Sequence, residues 1–215
     1  MKKIMIGIPS ATGMIPLRVM SRLIQLDKPK DTFIDFGYVE RLMIDKARNG
    51  MVQQCLMHKC DYLFFHDDDQ IVPRDILVKL VELDKDIIGT PISSRNGKEE
   101  LAVFDFKYNK INDFKGTQRV GGIGMGATLI KRSALEKIID KYPAPFQFST
   151  ELEQQENGSE IVVEFSEDVN FCRRASELGL EVWCTDSVKP VLHIGLPMGY
   201  FYENGEYKAK LDLLS

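Results

Sequence analysis

Residues 60–74 read CDYLFFHDDDQIVPR. The apolar run Tyr62-Leu63-Phe64-Phe65 stops at three consecutive carboxylates, Asp67, Asp68 and Asp69. Pro73 and a new amphipathic run follow. The pattern predicts a buried strand that opens at its C-terminal end into an acidic loop, with a helix just beyond. Three adjacent carboxylates gain nothing from packing, because like charges this close repel. A divalent cation would resolve the conflict, since hard cations prefer oxygen ligands. The plainer alternative is a solvated acidic turn. His66 alternates away from Asp67 along the strand and is expected to be structural.

Upstream, Lys3 to Pro9 reads as a short apolar strand and Ser10 to Gly13 as a loop at its end. Pro16 to Leu26 has helical spacing, with Leu17, Met20, Leu23 and Ile24 on one face. Thr32 to Phe36 is a second short strand, and Gly37 to Asp45 a loop or turn. Asp45 to Lys59 is helical through Ala47, Met51, Val52, Cys55 and Leu56. Downstream of the acidic loop, Pro73 to Leu83 is helical and Asp86 to Pro91 a strand. Strands alternating with helices predict an α/β fold, with a mixed, mainly parallel sheet flanked by helices on both faces.

The rhythm changes after Pro91. Asn96-Gly97 is a turn signal, and Leu101 to Phe114 suggests a hairpin. Val120 to Ile130 is glycine-rich, then apolar. Ser133 with Glu136 three residues on forms a capping-box pattern for a helix to about Lys141. Pro143 to Ser159 reads as loop, with Asn157-Gly158 a turn into a strand from Glu160 to Phe165. Ser166 is placed to cap a helix from Glu167 to Leu178 that Gly179 stops. Leu180 to Cys184 and Val188 to Ile194 complete the strands.

The chain has 215 residues, 44% hydrophobic, enough for one substantial core. Lysine and arginine number 28 against 32 acidic residues, a net charge of -4. That balance argues against a nucleic-acid footprint, which wants a basic excess. No apolar run approaches the ~20 residues of a membrane span. Cys55, Cys60, Cys172 and Cys184 form no tight C-x-x-C pair, so buried free thiols in a reducing cytosol are expected. The expected location is therefore cytoplasmic, with peripheral membrane association left open.

In open parallel sheets, ligands bind outside the carboxyl ends of the strands. Pro9-Ser10, Asp67-Asp68-Asp69 and Pro91-Ile92 are such ends. Asp45 could meet a base or ribose there, and Lys46 or Arg48 a phosphate. Ser94-Arg95 offers another positive group near the same crevice. Gly121, Gly122, Gly124 and Gly126 match a phosphate loop poorly, and their density points to close backbone approach. Asp168 lies in the first turn of a helix, where exposed N–H groups favour a carboxylate.

DYLFFHDDD, the glycine-rich GGIGMGATLIKR at Gly121 to Arg132, and SEDVNFCRRASELGLEVW at Ser166 to Trp183 together resemble the type A nucleotide-sugar glycosyltransferases, glycosyltransferase family 2 above all. The N-terminal IGIPS and the run Ala47-Arg48-Asn49 extend the likeness over most of the chain. The resemblance implies one Rossmann-like domain over 1–215. Residues 1–92 would be a nucleotide-binding half, 93–194 an acceptor and metal half, and 195–215 a tail. It implies that Asp67 or Asp68 touches the nucleotide ribose. Asp69 would hold Mn²⁺ or Mg²⁺ on the diphosphate, with His193 completing the metal site. Of the Glu167-Asp168 pair, Asp168 would be the general base, and Gly122 would line the donor sugar or the acceptor.

The implied partners are a nucleoside-diphosphate sugar and a saccharide, lipid or protein acceptor. A homo-oligomer stays open. Two other readings compete. One is a nucleotidyltransferase, which wants a basic glycine-rich loop after the first strand, where this chain has SATGM. The other is a noncatalytic nucleotide- or carbohydrate-binding protein.

Overall fold

The computed structural model describes residues 1–93, 100–154, 158–188, 191–194, 199–203 and 206–210. In chain order the elements begin β1 (Lys2–Ser10), α1 (Leu17–Ile24), β2 (Thr32–Glu40), α2 (Ile44–Met57), β3 (Tyr62–His66), β4 (Gln70–Ile71), α3 (Ile76–Glu82) and β5 (Ile87–Gly89). They continue with β6 (Val103–Phe104), β7 (Thr117–Arg119), β8 (Gly122–Ile123), β9 (Ala127–Lys131), α4 (Arg132–Lys141), β10 (Ser149–Gln154), β11 (Glu160–Phe165) and α5 (Glu167–Glu177). The last are β12 (Val182–Thr185), β13 (Leu192–Ile194), β14 (Gly199–Glu203) and β15 (Glu206–Lys210).

Seven strands form the main sheet in the order β2-β1-β3-β9-β5-β12-β7. β1 runs parallel to β2 and β3, and β5 parallel to β12. β9 is antiparallel to both β3 and β5, and β7 antiparallel to β12. The result is a mixed, mostly parallel sheet with helices on its faces, broadly Rossmann-like. β1 and β3 are almost wholly buried because both of their faces are covered. Alternate residues feed two cores. Met5, Leu63 and Phe65 join α2, α4 and α5 on one face. Ile4, Ile6, Tyr62 and Phe64 join α1 and α3 on the other. A smaller antiparallel sheet, β15-β14-β13-β4, hangs from the segment after Asp69.

Three local expectations change. β2 does not end at Phe36 but runs through Gly37 to Glu40, paired with β1 along its length. Gly37 serves close packing rather than a turn: a Cβ there would lie 2.8 Å from Met5 Sδ and 2.9 Å from Gln54 Oε1. The stretch from Pro143 is not all loop, because β10 pairs antiparallel with β11. The segment from Leu101 to Phe114 does fold back on itself, with an antiparallel bridge between Phe104 and Lys110 and Tyr108 at φ 63° in the turn, and β6 pairs in addition with β8. Ser133 does not cap α4. β9 passes straight into the helix at Arg132, whose N–H donates to the Asp61 carbonyl at 2.8 Å.

The turn signals at Asn96-Gly97 and Asn157, and much of the 195–215 tail, lie outside the described residues. All four cysteines are free and buried. Among the described residues no helix is long and apolar enough to cross a membrane.

Candidate functional site

The three aspartates form a tight turn at the carboxyl end of β3. The Asp67 N–H donates to the Gly126 carbonyl at 3.2 Å, and the Gln70 N–H donates back to the Asp67 carbonyl at 3.2 Å. Gly126 precedes β9, the antiparallel neighbour of β3. A Cβ there would sit 2.2 Å from Gln70 Nε2 and 2.5 Å from Asp67 Oδ2, so only glycine lets the turn close this tightly. Asp67, Asp68 and Asp69 are partly exposed, whereas His66 and Gln70 on either side are buried.

Arg48, in the second turn of α2, ties this turn to α5. Its Nη2 donates to Asp67 Oδ1 at 3.3 Å and its Nε to Glu167 Oε1 at 3.1 Å. The side chain is 4% exposed and its guanidinium lies 5.3 Å from the Phe65 ring centroid. Burial opposes its charge, but Asp67, Glu167 and Asp168 outweigh that and raise its pKa above the ordinary value. Glu167 fares differently. Burial and the neighbouring Asp168 raise its pKa, and Arg48 offsets them only in part. One guanidinium shared by several carboxylates is held firmly charged, while a carboxylate with one cation and a like-charged neighbour becomes a weaker acid. The buried Arg48 Nη1 has no partner among the described residues.

The supports are aromatic. Phe146 stacks on Phe171 at 4.3 Å and meets Phe65 edge-on at 5.3 Å. Asn49 grips the Phe146 backbone through both its amide atoms, at 2.8 and 3.0 Å. These contacts lock α2, β3 and α5 together, so the register of three elements places Arg48.

Asp168 follows Glu167 in the first turn of α5. Its Oδ1 accepts hydrogen bonds from the Val169 N–H at 2.8 Å and from Ser166 Oγ. Ser166 sits at the N-cap position, yet its hydroxyl serves Asp168 and not the helix end. Asp168 Oδ2 lies 3.8 Å from where a Cβ on Gly124 would stand.

On the other side, His193 of β13 pairs with Gln70 of β4. Gln70 Nε2 is 3.0 Å from His193 Nε2 and 3.4 Å from Asp67 Oδ2. The Gln70 amide therefore lies within hydrogen-bond reach of both the imidazole and the carboxylate. The Ile194 N–H donates to the Asp69 carbonyl at 2.7 Å. The acidic turn and His193 are thus adjacent, with Gln70 between the imidazole and Asp67.

Among the described residues no three His, Cys, Asp or Glu side chains gather into a ready-made metal cage. The donors present still fit a hard cation. They are carboxylate oxygens on a turn pressed against a glycine, and Mg²⁺ is commonly held by one or two carboxylates plus substrate phosphates rather than by an all-protein cage.

The remaining predicted residues fall as follows. Pro9 and Ser10 end β1, and Ser10 Oγ accepts from the Gly13 N–H at 3.0 Å and donates to the Met14 carbonyl at 3.4 Å. Asp45 lies in the first turn of α2, half-buried. Gly122 is buried in β8 between Phe104 and Val169, and Gly124 and Gly126 are the glycines beside carboxylates. Arg95 lies outside the described residues. Sequence reasoning missed Gln70, whose only signal is a polar residue opening the short strand after the acidic run.

No protein-family model matches the sequence, and no curated protein matches it. Solved structures do. A197 from STIV matches with a TM-score of 0.66 at 21% identity, over 100% of this chain and 97% of that one. S. aureus TarS 1–349 in complex with UDP matches with a TM-score of 0.52 at 14% identity, over 87% of this chain and 58% of that one. A second S. aureus TarS structure gives 0.54 at 15%, over 87% of this chain and 35% of that one. The chain thus spans a little over half of the shorter TarS chain. At these identities the likeness establishes a common fold.

Proposed function

We propose that the chain is a glycosyltransferase that moves a sugar from a nucleoside-diphosphate sugar to an acceptor hydroxyl with the help of Mn²⁺ or Mg²⁺. One observation carries the reading: Arg48 joins the acidic turn at the end of β3 to the acidic first turn of α5. One guanidinium thereby holds together two groups of carboxylates suited to different tasks, beside the carboxyl end of β3. The shared fold with a UDP-bound TarS supports it.

In this reading Asp69, with Asp67 or Asp68 beside it, would hold the cation against the donor's diphosphate. The cation would stabilise charge developing on the leaving diphosphate. The buried Arg48 Nη1 is an orphan donor that a phosphate oxygen would satisfy. Asp168 accepts the proton of the acceptor hydroxyl, with Ser166 and the Val169 N–H fixing its orientation.

The test is incubation with Mn²⁺ or Mg²⁺ and a panel of nucleotide sugars, reading thermal shift and donor hydrolysis. One donor should raise Tm only with the cation, and Asp69→Ala should lose that dependence. Asp168→Asn should keep donor binding and lose roughly 10²-fold or more in turnover. Nucleotide affinity indifferent to both cations would overturn the reading. Release of pyrophosphate instead of a nucleoside diphosphate would assign a nucleotidyltransferase.

A further inference from the structure

The first helix leaves half of its apolar surface uncovered. Around α1, Val19 and Leu23 point into the core at 0% and 3% exposure, and Leu17, Met20 and Ile24 continue the same apolar half of the helix outward. Leu17 and Ile24 are 86% and 76% exposed. The opposite half carries Arg18 and Arg22. The edge strand β2 adds to this surface. Ile34 packs on the cluster that holds Val19 and Leu23, so Phe36 and Tyr38, two and four residues on, lie on the same side of the sheet. They stay exposed because α1 leans toward β4 and its trailing Asp27 is tied to Arg74 at 3.1 Å.

We infer that this face, the outer side of α1 with the open side of β2, docks on an anionic lipid surface. An apolar stripe beside a basic stripe on one helix is the arrangement that lies in a membrane interface. The charge selects the occupant. Residues 11–31 hold Arg18, Arg22, Lys28 and Lys30 against two acids, Asp27, which pairs with Arg74, and Asp31, in a chain of net charge -4. Glu40 stands at the far end of β2, beside Gly13. Arg18, Lys28 and Lys30 are exposed and Arg22 is partly so. Anionic headgroups collect them. The inference does not depend on the proposed chemistry.

The experiment is sedimentation of the full chain with vesicles of phosphatidylcholine alone or mixed in equal parts with phosphatidylglycerol. Binding to the mixed vesicles should be stronger by about tenfold or more and should fall with added salt. The pair Leu17→Glu and Ile24→Glu, at exposed positions that leave the core intact, should abolish it. Arg18→Glu should remove most of the preference for the anionic vesicle. Circular dichroism confirms that the variants are folded. No binding to mixed vesicles, or equal binding by the folded double variant, overturns the inference. A solution dimer that the double variant converts to monomer does so too, by assigning the face to a second copy.

Discussion

His66 and Asp67 are neighbours in the chain and end in opposite circumstances. Asp67 turns to the α2 and α5 side, where Arg48 meets one of its oxygens and Gln70 the other. His66 turns to the α1 and α3 side, paired across the sheet with Ala127 and 6.3 Å from the Phe64 ring. It is 0% exposed, and neither ring nitrogen has a partner among the described residues. Burial lowers its pKa to about 4, so it is neutral. The fold keeps a charge near the core only where a network of opposite charge receives it. It tolerates an unpartnered polar group only in neutral form.

The most damaging way to break this contrast is Arg48→Leu. It leaves Glu167 buried without its cation and Asp67 short of one, and removing one partner of a buried ion pair costs about 3–5 kcal/mol. Urea unfolding at neutral pH should show that loss. A loss within about 1 kcal/mol would mean that solvent already serves the carboxylates, as it does for exposed ion pairs.

The second test takes the other side. His66 has an ordinary pKa of 6.5 and a folded one of about 4. Between those values the unfolded chain takes up a proton that the native chain refuses, so stability falls as pH drops from 6.5 toward 4 and levels off below. The full difference is roughly 3 kcal/mol. His66→Leu should remove this part of the slope while changing stability little at pH 7. An unchanged slope would place the titration elsewhere.

The sequence makes one side of this contrast easier to see than the other. The uninterrupted apolar run in β3 marks a strand covered on both faces, and the aspartates mark its open end. Glu167-Asp168 after Ser166 marks a helix start, because acidic residues collect at that end. Local pattern is silent on partners brought from afar. β9 inserts antiparallel between β3 and β5, and nothing near Ala127 announces it. Gly37 looks like a turn because its tight neighbours, Met5 and Gln54, are remote in the chain. Gln70 has no chemical signature until β13 brings His193 against it. Arg48 could be suspected of meeting a phosphate, yet its hold on Glu167, 119 positions away, appears only in three dimensions.

A third prediction sharpens the Asp67 side without removing a charge. Gly126→Ala sets a methyl against Gln70 Nε2 and Asp67 Oδ2. The turn must open or the amide must swing away, at about 1–3 kcal/mol, typical of overpacking. If the acidic turn holds a cation, nucleotide affinity should lose its cation dependence in this variant by more than its fall in stability explains. Unfolding and cation-dependent thermal shift on one preparation separate the two.

The smallest effect is expected for Glu167→Gln, and it decides whether Arg48 serves two carboxylates equally. The amide keeps an oxygen where Oε1 accepts from Arg48 Nε, so the hydrogen bond survives and only the charge is lost. That charge is already disfavoured, because burial and Asp168 push the Glu167 pKa up while Arg48 opposes them incompletely. Removing it forfeits attraction to Arg48 and relieves repulsion from Asp168, so the net change should be within about 1 kcal/mol. The pH dependence gives an independent check. A carboxyl whose folded pKa lies above its ordinary 4.5 binds its proton more tightly when native, so its contribution to stability declines as pH rises through that window. Glu167→Gln should flatten that decline. A loss as large as that of Arg48→Leu would instead mean that Arg48, Asp67 and Glu167 act as one indivisible unit, with the charge on Glu167 as necessary to the fold as the guanidinium itself.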